Sequence, residues 1–206
     1  MFYRDLVERY KVPDPALFKY VLKRLISSFT KEFSVNKLYN DLKSRGFSVG
    51  KDSLYGMMDE VFDIYMLARM ERYDPSVIRR EMSNKKVYLY DNGLATALNY
   101  SLSEDRGKLL ENLVYRHLRD MTHEMYFVRN AWECDFVAFP HGGEPLLVQV
   151  TTRLDTNNLA REIKGLAAAG KRVGSGRSLL LAESIQPGLD VPEWIRVGSV
   201  SDWLLE

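Results

Sequence analysis

The chain has 206 residues, 46% of them hydrophobic, and a formal net charge of +1, which allows one large domain or two small ones and excludes a strong overall electrostatic field. Its single cysteine, Cys134, excludes an internal disulfide, and the three histidines are too scattered in sequence to indicate a zinc site. Since no apolar run approaches the roughly 20 residues of a membrane span, and the first residues do not resemble a signal peptide, we expect a cytoplasmic protein that does not bind membranes.

The near-neutral charge hides an asymmetry between the two halves of the chain. Residues 1–90 contain 17 Lys and Arg against 12 Asp and Glu, whereas residues 91–206 contain 12 against 16. The first half therefore has a net charge of +5 and the second a net charge of −4. Because phosphate groups attract positive side chains, we expect a nucleic acid to be bound mainly by the first half.

The beginning of the chain predicts three helices. The first begins at Asp14-Pro15 and carries apolar residues at helical spacing over 14–29. Ser34 begins the second, which ends at 44–46, and a short turn over 47–50 leads into the third. Helix, helix, tight glycine-containing turn and helix is the order of a helix-turn-helix.

A hairpin is predicted directly after the third helix. Residues 65–70 and 86–90 are typical of strands, and they flank the polar segment 71–85. A hairpin at this place is the wing of a winged helix, and its basic residues would contact phosphates: Arg72, Arg79, Arg80, Lys85 and Lys86. A solvated basic loop without a binding role is the alternative.

The candidate DNA contacts come from the third helix and from the wing. Four side chains near the start of that helix are predicted to face outward, and two arginines represent the wing: Ser48, Lys51, Ser53, Tyr55, Arg79 and Arg80.

The second half, from about Asp91-Asn92-Gly93, predicts an α/β domain. In order, the pattern predicts a long helix, three strands, a helix, a strand and a short terminal strand and helix, the first six at 109–121, 125–129, 134–139, 146–152, 156–169 and 178–182. The second and third of these strands are separated by the turn 140–145, which predicts an antiparallel hairpin with Asp135 beside Gln149.

Several segments of the chain resemble known protein families. The second half resembles the PD-(D/E)XK nuclease-like fold, and the two halves together resemble the C-terminal part of archaeal-type AAA ATPases, in which a winged helix precedes a nuclease-like domain. Five segments carry the resemblance, over roughly the first 182 residues: Lys86–Leu94, Gly107–Asn112, Glu133–Phe136, Val148–Thr151 and Arg161–Ile163.

The resemblance implies an α/β protein with two domains. Residues 1–90 would form a winged helix-turn-helix, and residues 91–206 a restriction-endonuclease-like domain with a mixed sheet. DNA and an AAA ATPase module are the implied partners. In the related proteins the ATPase module lies upstream, and it is not found in this sequence, so we expect it in cis or in trans.

The resemblance also implies where a nuclease site would lie, and that this site is degenerate. Glu111 takes the place of the helix carboxylate, and Asp135 that of the metal-binding aspartate. Gln149 and Thr151 stand where active nucleases have glutamate and lysine. Gln149 lacks the charge that suits Mg²⁺, and Thr151 cannot supply a cation to the attacking water. Asp135 and Glu111 remain as weak metal candidates, and we expect no cofactor unless the site is active.

Three functions stay open at this stage. The first is a DNA-binding and interaction module with a silent nuclease-like domain. The second is an Mg²⁺-dependent DNA endonuclease whose catalytic cation has migrated to Arg153, Arg161 or Lys164. The third is a protein-interaction domain that does not bind DNA. A phosphate loop is not among them, because Gly165–Lys171 is followed by Arg172 and continues a predicted helix.

Overall fold

A computed structural model describes residues 14–98 and 106–206 of this mixed α/β protein. The chain divides into two compact units. The first unit comprises Met1–Arg69 and Asn84–Tyr100, and the second comprises Met70–Ser83 and Ser101–Glu206. Within the described residues, every helix is too short or too polar to cross a membrane.

Three helices come first in the described part of the first unit, and the first two begin directly after the predicted capping residues. They are α1 (Pro15–Ser27), α2 (Val35–Ser44) and α3 (Lys51–Asp63). Asp14 Oδ1 accepts hydrogen bonds from the backbone N–H groups of Ala16 and Leu17, both at 3.0 Å. Ser34 Oγ accepts from the N–H of Lys37 at 3.4 Å. These bonds satisfy backbone donors that a helix start leaves without partners, which confirms both predicted starts.

The described part of the first unit also contains three strands. They are β1 (Glu32–Phe33), the first half of β2 (Leu67–Arg72) and β3 (Lys85–Leu89), and β3 lies between the other two. β1 and β3 are antiparallel, with Glu32 opposite Lys86. β2 begins two residues later than predicted because Tyr65 has a φ of 56°, the left-handed conformation of a turn. A short helix, α5 (Asn92–Leu98), follows β3.

The segment between β2 and β3 differs from the predicted wing loop. It contains a helix, α4 (Val77–Met82), and residues 70–83 belong to the second unit. The reason is strand pairing, since the end of β2 runs parallel to strand β4 (Met125–Arg129), with Arg72 opposite Phe127. The predicted division at residue 90 therefore differs from the observed units in this inserted segment and in residues 91–100, which belong to the first unit.

The second unit contains the α/β order predicted for the second half. Its further elements are α6 (Arg106–Met121), β5 (Glu133–Ala138), β6 (Leu146–Leu154), α7 (Leu159–Val173), β7 (Arg177–Ile185), β8 (Ile195–Ser199) and α8 (Val200–Trp203). Its strands lie in the order β2, β4, β5, β6, β7, β8. The β4–β5 and β5–β6 pairs are antiparallel, and the β2–β4, β6–β7 and β7–β8 pairs are parallel. The sheet is therefore mixed, as expected.

The two long helices of the second unit cover opposite faces of its sheet. Phe136 of β5 is paired with Val148 of β6 and contacts Tyr115 of α6, with ring centroids 6.4 Å apart. Gln149 is the next residue along β6, so its side chain points to the other face. There it is bonded to Glu162 of α7. Because the two helices lie on opposite faces, α6 packs against the face of Phe136 and α7 against the face of Gln149.

Candidate functional site

The antiparallel ladder between β5 and β6 ends where the candidate site begins. Its last backbone pair on this side is Phe136 with Val148. One residue further, side chains replace the backbone: Asp135 Oδ2 accepts from the N–H of Val150 at 3.0 Å, and Gln149 Oε1 accepts from the N–H of Asp135 at 3.3 Å. The predicted placement of Asp135 beside Gln149 is confirmed, and both side chains hold the strands together.

The network continues into α7 through a residue that the sequence analysis missed. Gln149 Nε2 donates to Glu162 Oε2 at 2.7 Å, and Arg161 Nε donates to Glu162 Oε1 at 3.0 Å. Glu162 is only 1% exposed. A sequence signal existed, because Glu162 lies three residues after Leu159 and four before Leu166, on the stripe that α7 buries.

Arg161 supplies the positive charge of this network. The hydrogen bond and charge of Glu162 raise the pKa of the Arg161 guanidinium above its ordinary value, and the charges of Asp135 and Glu133 add to this effect. The Arg161 side chain is 68% exposed, so its guanidinium meets solvent on one side and a buried carboxylate on the other. A cation from α7 thus neutralises the carboxylate at the end of the network.

A glycine allows α7 to approach the strands this closely. A Cβ atom on Gly165 would lie 2.2 Å from the backbone oxygen of Glu133 and 3.2 Å from Gln149 Oε1. A contact of 2.2 Å with backbone cannot be relieved by a side-chain rotation. Gly165 therefore sets the depth at which Glu162, on the preceding turn of α7, enters the site. The whole run from Gly165 to Lys171 lies inside α7, as predicted.

Thr151 has a structural role next to the network. Its Oγ1 donates to the backbone oxygen of Arg153 at 3.1 Å and accepts from Asn158 Nδ2 at 3.3 Å. Of the residues predicted as a migrated cation, Arg153 is paired with Asp155 at 3.3 Å, and Lys164 lies over an aromatic ring described below. Arg161 is the candidate whose contacts join it to the network.

Glu111 lies on the helix that covers the other face of the sheet. It is half-buried on α6, the helix that covers the face of Phe136, whereas Glu162 comes from α7. Among residues 14–98 and 106–206, no group of three or more His, Cys, Asp or Glu side chains is placed to hold a metal ion. The described site is thus a hydrogen-bonded chain from Asp135 through Gln149 to Glu162 and Arg161.

A second candidate surface lies at the start of α3 in the first unit. The four predicted residues are all exposed, as expected: Ser48, Lys51, Ser53 and Tyr55. Lys51 Nζ donates to Asn36 Oδ1 at 2.9 Å and lies 5.4 Å from the ring centroid of Tyr39. These contacts connect the start of α3 to α2 and hold a positive charge at this end of the helix.

The two arginines predicted in the wing lie on α4 of the second unit instead. Arg79 Nε donates to Asp74 Oδ1 at 2.9 Å, and an Arg80 guanidinium nitrogen donates to the hydroxyl of Tyr126, also at 2.9 Å. The pKa of Asp74 is lowered by the N–H of Ser76 and by Arg79 and Arg172. Both arginines therefore lie on a helix where a loop of the wing was predicted, and their predicted contact with DNA stays a prediction.

Comparison with known proteins gives two matches. A family described as "Domain of unknown function (DUF8612)" matches residues 1–106. The uncharacterized protein MJ1544 of Methanocaldococcus jannaschii is 30% identical over 176 residues, which are 83% of this chain and 38% of that protein. The chain thus spans less than half the length of this relative. No solved structure matches it.

Proposed function

The chain belongs to the DUF8612 family, and we propose that it is a DNA-binding module with a catalytically silent nuclease-like domain, working with an AAA ATPase in cis or in trans. The observation that carries this proposal is the arrangement of the first unit. Its order α1–β1–α2–α3–β2–β3, with β3 between β1 and β2, supports a winged helix, since it is the order expected of one. In such proteins the start of the second helix of the motif contacts base edges.

The chemistry of the first unit fits such a contact. It contains 14 Lys and Arg against 10 Asp and Glu, a net charge of +4. At the start of α3, Lys51 offers a cation to phosphates, and the exposed Ser53 and Tyr55 offer hydroxyl groups to base edges.

The way in which the polar groups are satisfied supports a nuclease-like domain that is catalytically silent. Gln149 donates to one oxygen of Glu162 and Arg161 donates to the other, so the buried carboxylate is neutralised by the protein itself. A metal ion would have to displace these partners and would find an amide oxygen at Gln149, a weak ligand for Mg²⁺.

The ATPase part of the proposal draws on the resemblance of the sequence and on the length of the relative. Since the match covers 38% of the relative, more than half of that protein lies outside it. That remainder has room for a separate module such as an ATPase.

DNA binding by the full chain is tested by fluorescence anisotropy with a labelled 20-base-pair duplex at 50 and 200 mM salt. We expect weak binding that falls steeply with salt, because phosphate contacts release counterions. Lys51→Ala should weaken binding several-fold and reduce the slope of log affinity against log salt by about 1. Lys23→Ala is the matched control, since it removes an exposed lysine of α1 in the same unit. Equal effects of the two variants, or no binding at 50 mM salt, would favour the protein-interaction domain.

One observation favours a second candidate function, an Mg²⁺-dependent endonuclease. Arg161 lies beside the network as the migrated cation would, and Glu162 adds a carboxylate on the face of Asp135 and Gln149. Nicking of supercoiled plasmid in Mg²⁺ that is lost in Asp135→Ala would establish this activity.

A further inference from the structure

An exposed tryptophan lies beside the candidate site. Trp132 is in the turn between β4 and β5 and is 40% exposed, although an indole of this size is usually largely buried. The Nζ of Lys164, on α7, lies 4.5 Å from its ring centroid. The turn is held by a bond from the N–H of Asn130 to the backbone oxygen of Trp132 at 3.1 Å. A flat aromatic surface is thus held in place and paired with a cation.

The same turn adjoins a row of basic residues along α7, which we name the basic stripe: Arg161, Lys164, Lys171 and Arg172. At 100° per residue these four positions fall within an arc of about 100°, and the stripe extends for about 16 Å. Arg172 donates to Asn130 Oδ1 at 3.1 Å, so both the middle and the end of the stripe touch the turn of Trp132.

The charge of the stripe stands out against its surroundings. The second unit has 15 Lys and Arg against 18 Asp and Glu, a net charge of −3. Two of the arginines are held by buried carboxylates, Arg161 by Glu162 and Arg172 by Asp74. Lys164 and Lys171 are exposed cations between them. A negatively charged ligand would therefore be attracted to this strip of the unit in particular.

We propose that Trp132 and the basic stripe bind single-stranded DNA, with a base stacked on the indole and phosphates along α7. An aromatic platform combined with a row of cations is the arrangement that binds single strands without sequence preference. Duplex DNA hides the faces of its bases, so it cannot use the ring in this way. This inference rests on the proposed function in that DNA is the partner, and it adds a second contact, specific for unpaired strands, next to the silent site.

The test uses the full chain, a labelled 12-nucleotide oligothymidine and a labelled duplex, at low salt. Trp132→Ala should weaken binding of the single strand about 5- to 150-fold, the range measured for loss of one stacked base, and leave duplex binding unchanged. Trp194→Ala is the matched control, because Trp194 is 50% exposed in the same unit and lies outside the stripe. Trp132→Phe should retain most of the affinity, since a phenyl ring also stacks.

Two outcomes would overturn the inference. One is equal single-strand affinity in Trp132→Ala and Trp194→Ala. The other is a wild-type chain that binds duplex through Lys51 but does not bind the oligonucleotide, which would leave the proposed function intact. Loss of duplex binding in Trp132→Ala with an unchanged thermal unfolding curve would also contradict the division between the two surfaces.

Discussion

Replacing Gln149 by glutamate gives the sharpest test of how the polar network is stabilised. Gln149 is 8% exposed, and its amide donates to Glu162, which is 1% exposed. Gln149→Glu keeps the shape of the side chain but removes the donor and brings two carboxylates together. The new carboxylate must either stay ionised beside Glu162 or take up a proton that restores the hydrogen bond.

At neutral pH, ionisation and protonation of the new side chain lower the free energy of unfolding by similar amounts. Two like charges about 4 Å apart repel by about 4 kcal/mol at an effective dielectric constant near 20. Protonation instead requires the pKa of the new side chain to rise from about 4.3 to 7, at about 1.4 kcal/mol per pH unit, or about 3.7 kcal/mol at pH 7. At pH 5 the same proton costs about 1 kcal/mol. A carboxyl whose pKa is raised by folding loses stability as the pH rises above its unfolded value, so the variant should be least stable at neutral pH.

Urea unfolding followed by tryptophan fluorescence measures the free energy of unfolding of the variant at pH 5 and at pH 7. Gln149→Met is the control, because it removes the donor without adding charge and should lower the free energy of unfolding by about 1.5–3 kcal/mol at either pH. A loss in Gln149→Glu that is the same at both pH values would refute the explanation, since the carboxylates would then not interact.

Two further predictions concern the same face of the sheet. Gln149→Glu with Thr151→Lys should raise Mg²⁺ affinity over the wild type, because the new carboxylate supplies the negative charge that the site lacks. The lysine should recover part of the stability that Gln149→Glu loses, because it offsets the repulsion between the carboxylates. Calorimetric titration with Mg²⁺ measures the affinity, urea unfolding measures the stability, and plasmid nicking shows whether activity follows. Gly165→Ala should destabilise the chain by about 3 kcal/mol or more, because its Cβ would meet the oxygen of Glu133 at 2.2 Å. Gly170→Ala, whose Cβ would meet Leu147 at an ordinary 3.6 Å, should be neutral or stabilising in the same unfolding measurement.

Much of the fold could be predicted because its signals are local. Asp14 and Ser34 cap helices through bonds to residues two or three positions ahead, so the sequence alone contains both partners. The hairpin of β5 and β6 is likewise short, and its register follows from the turn and the alternation of apolar residues. This was enough to place Asp135 opposite Gln149.

The elements that were missed depend on distant partners. The helix α4 follows Asp74, whose carboxylate is bonded to Arg79 close by and to Arg172, 98 positions away. Arg80 is bonded to Tyr126, 46 positions away. Glu162 was missed for a related reason. A glutamate on a helix is usually exposed, unless a buried donor such as the Gln149 amide forms a hydrogen bond to its carboxylate. Nothing within 74–82 indicates the contacts with Arg172 and Tyr126.

The use of side chains to close the end of the β5–β6 ladder has an evolutionary consequence. Bonds between backbone groups survive most substitutions other than proline, but the bond from the N–H of Val150 to the carboxylate of Asp135 disappears if the aspartate is replaced by a residue without an acceptor. Selection for a stable sheet would therefore be enough to retain Asp135 and Gln149 without any catalytic role, so their presence alone says little about activity. A gain of metal chemistry at this site would be obstructed as well, because the first step, a carboxylate at position 149, is expected to lower stability before any benefit arises. The hydrogen bonds of Asp135 and Gln149 that connect β5 and β6 thus favour keeping both residues as they are.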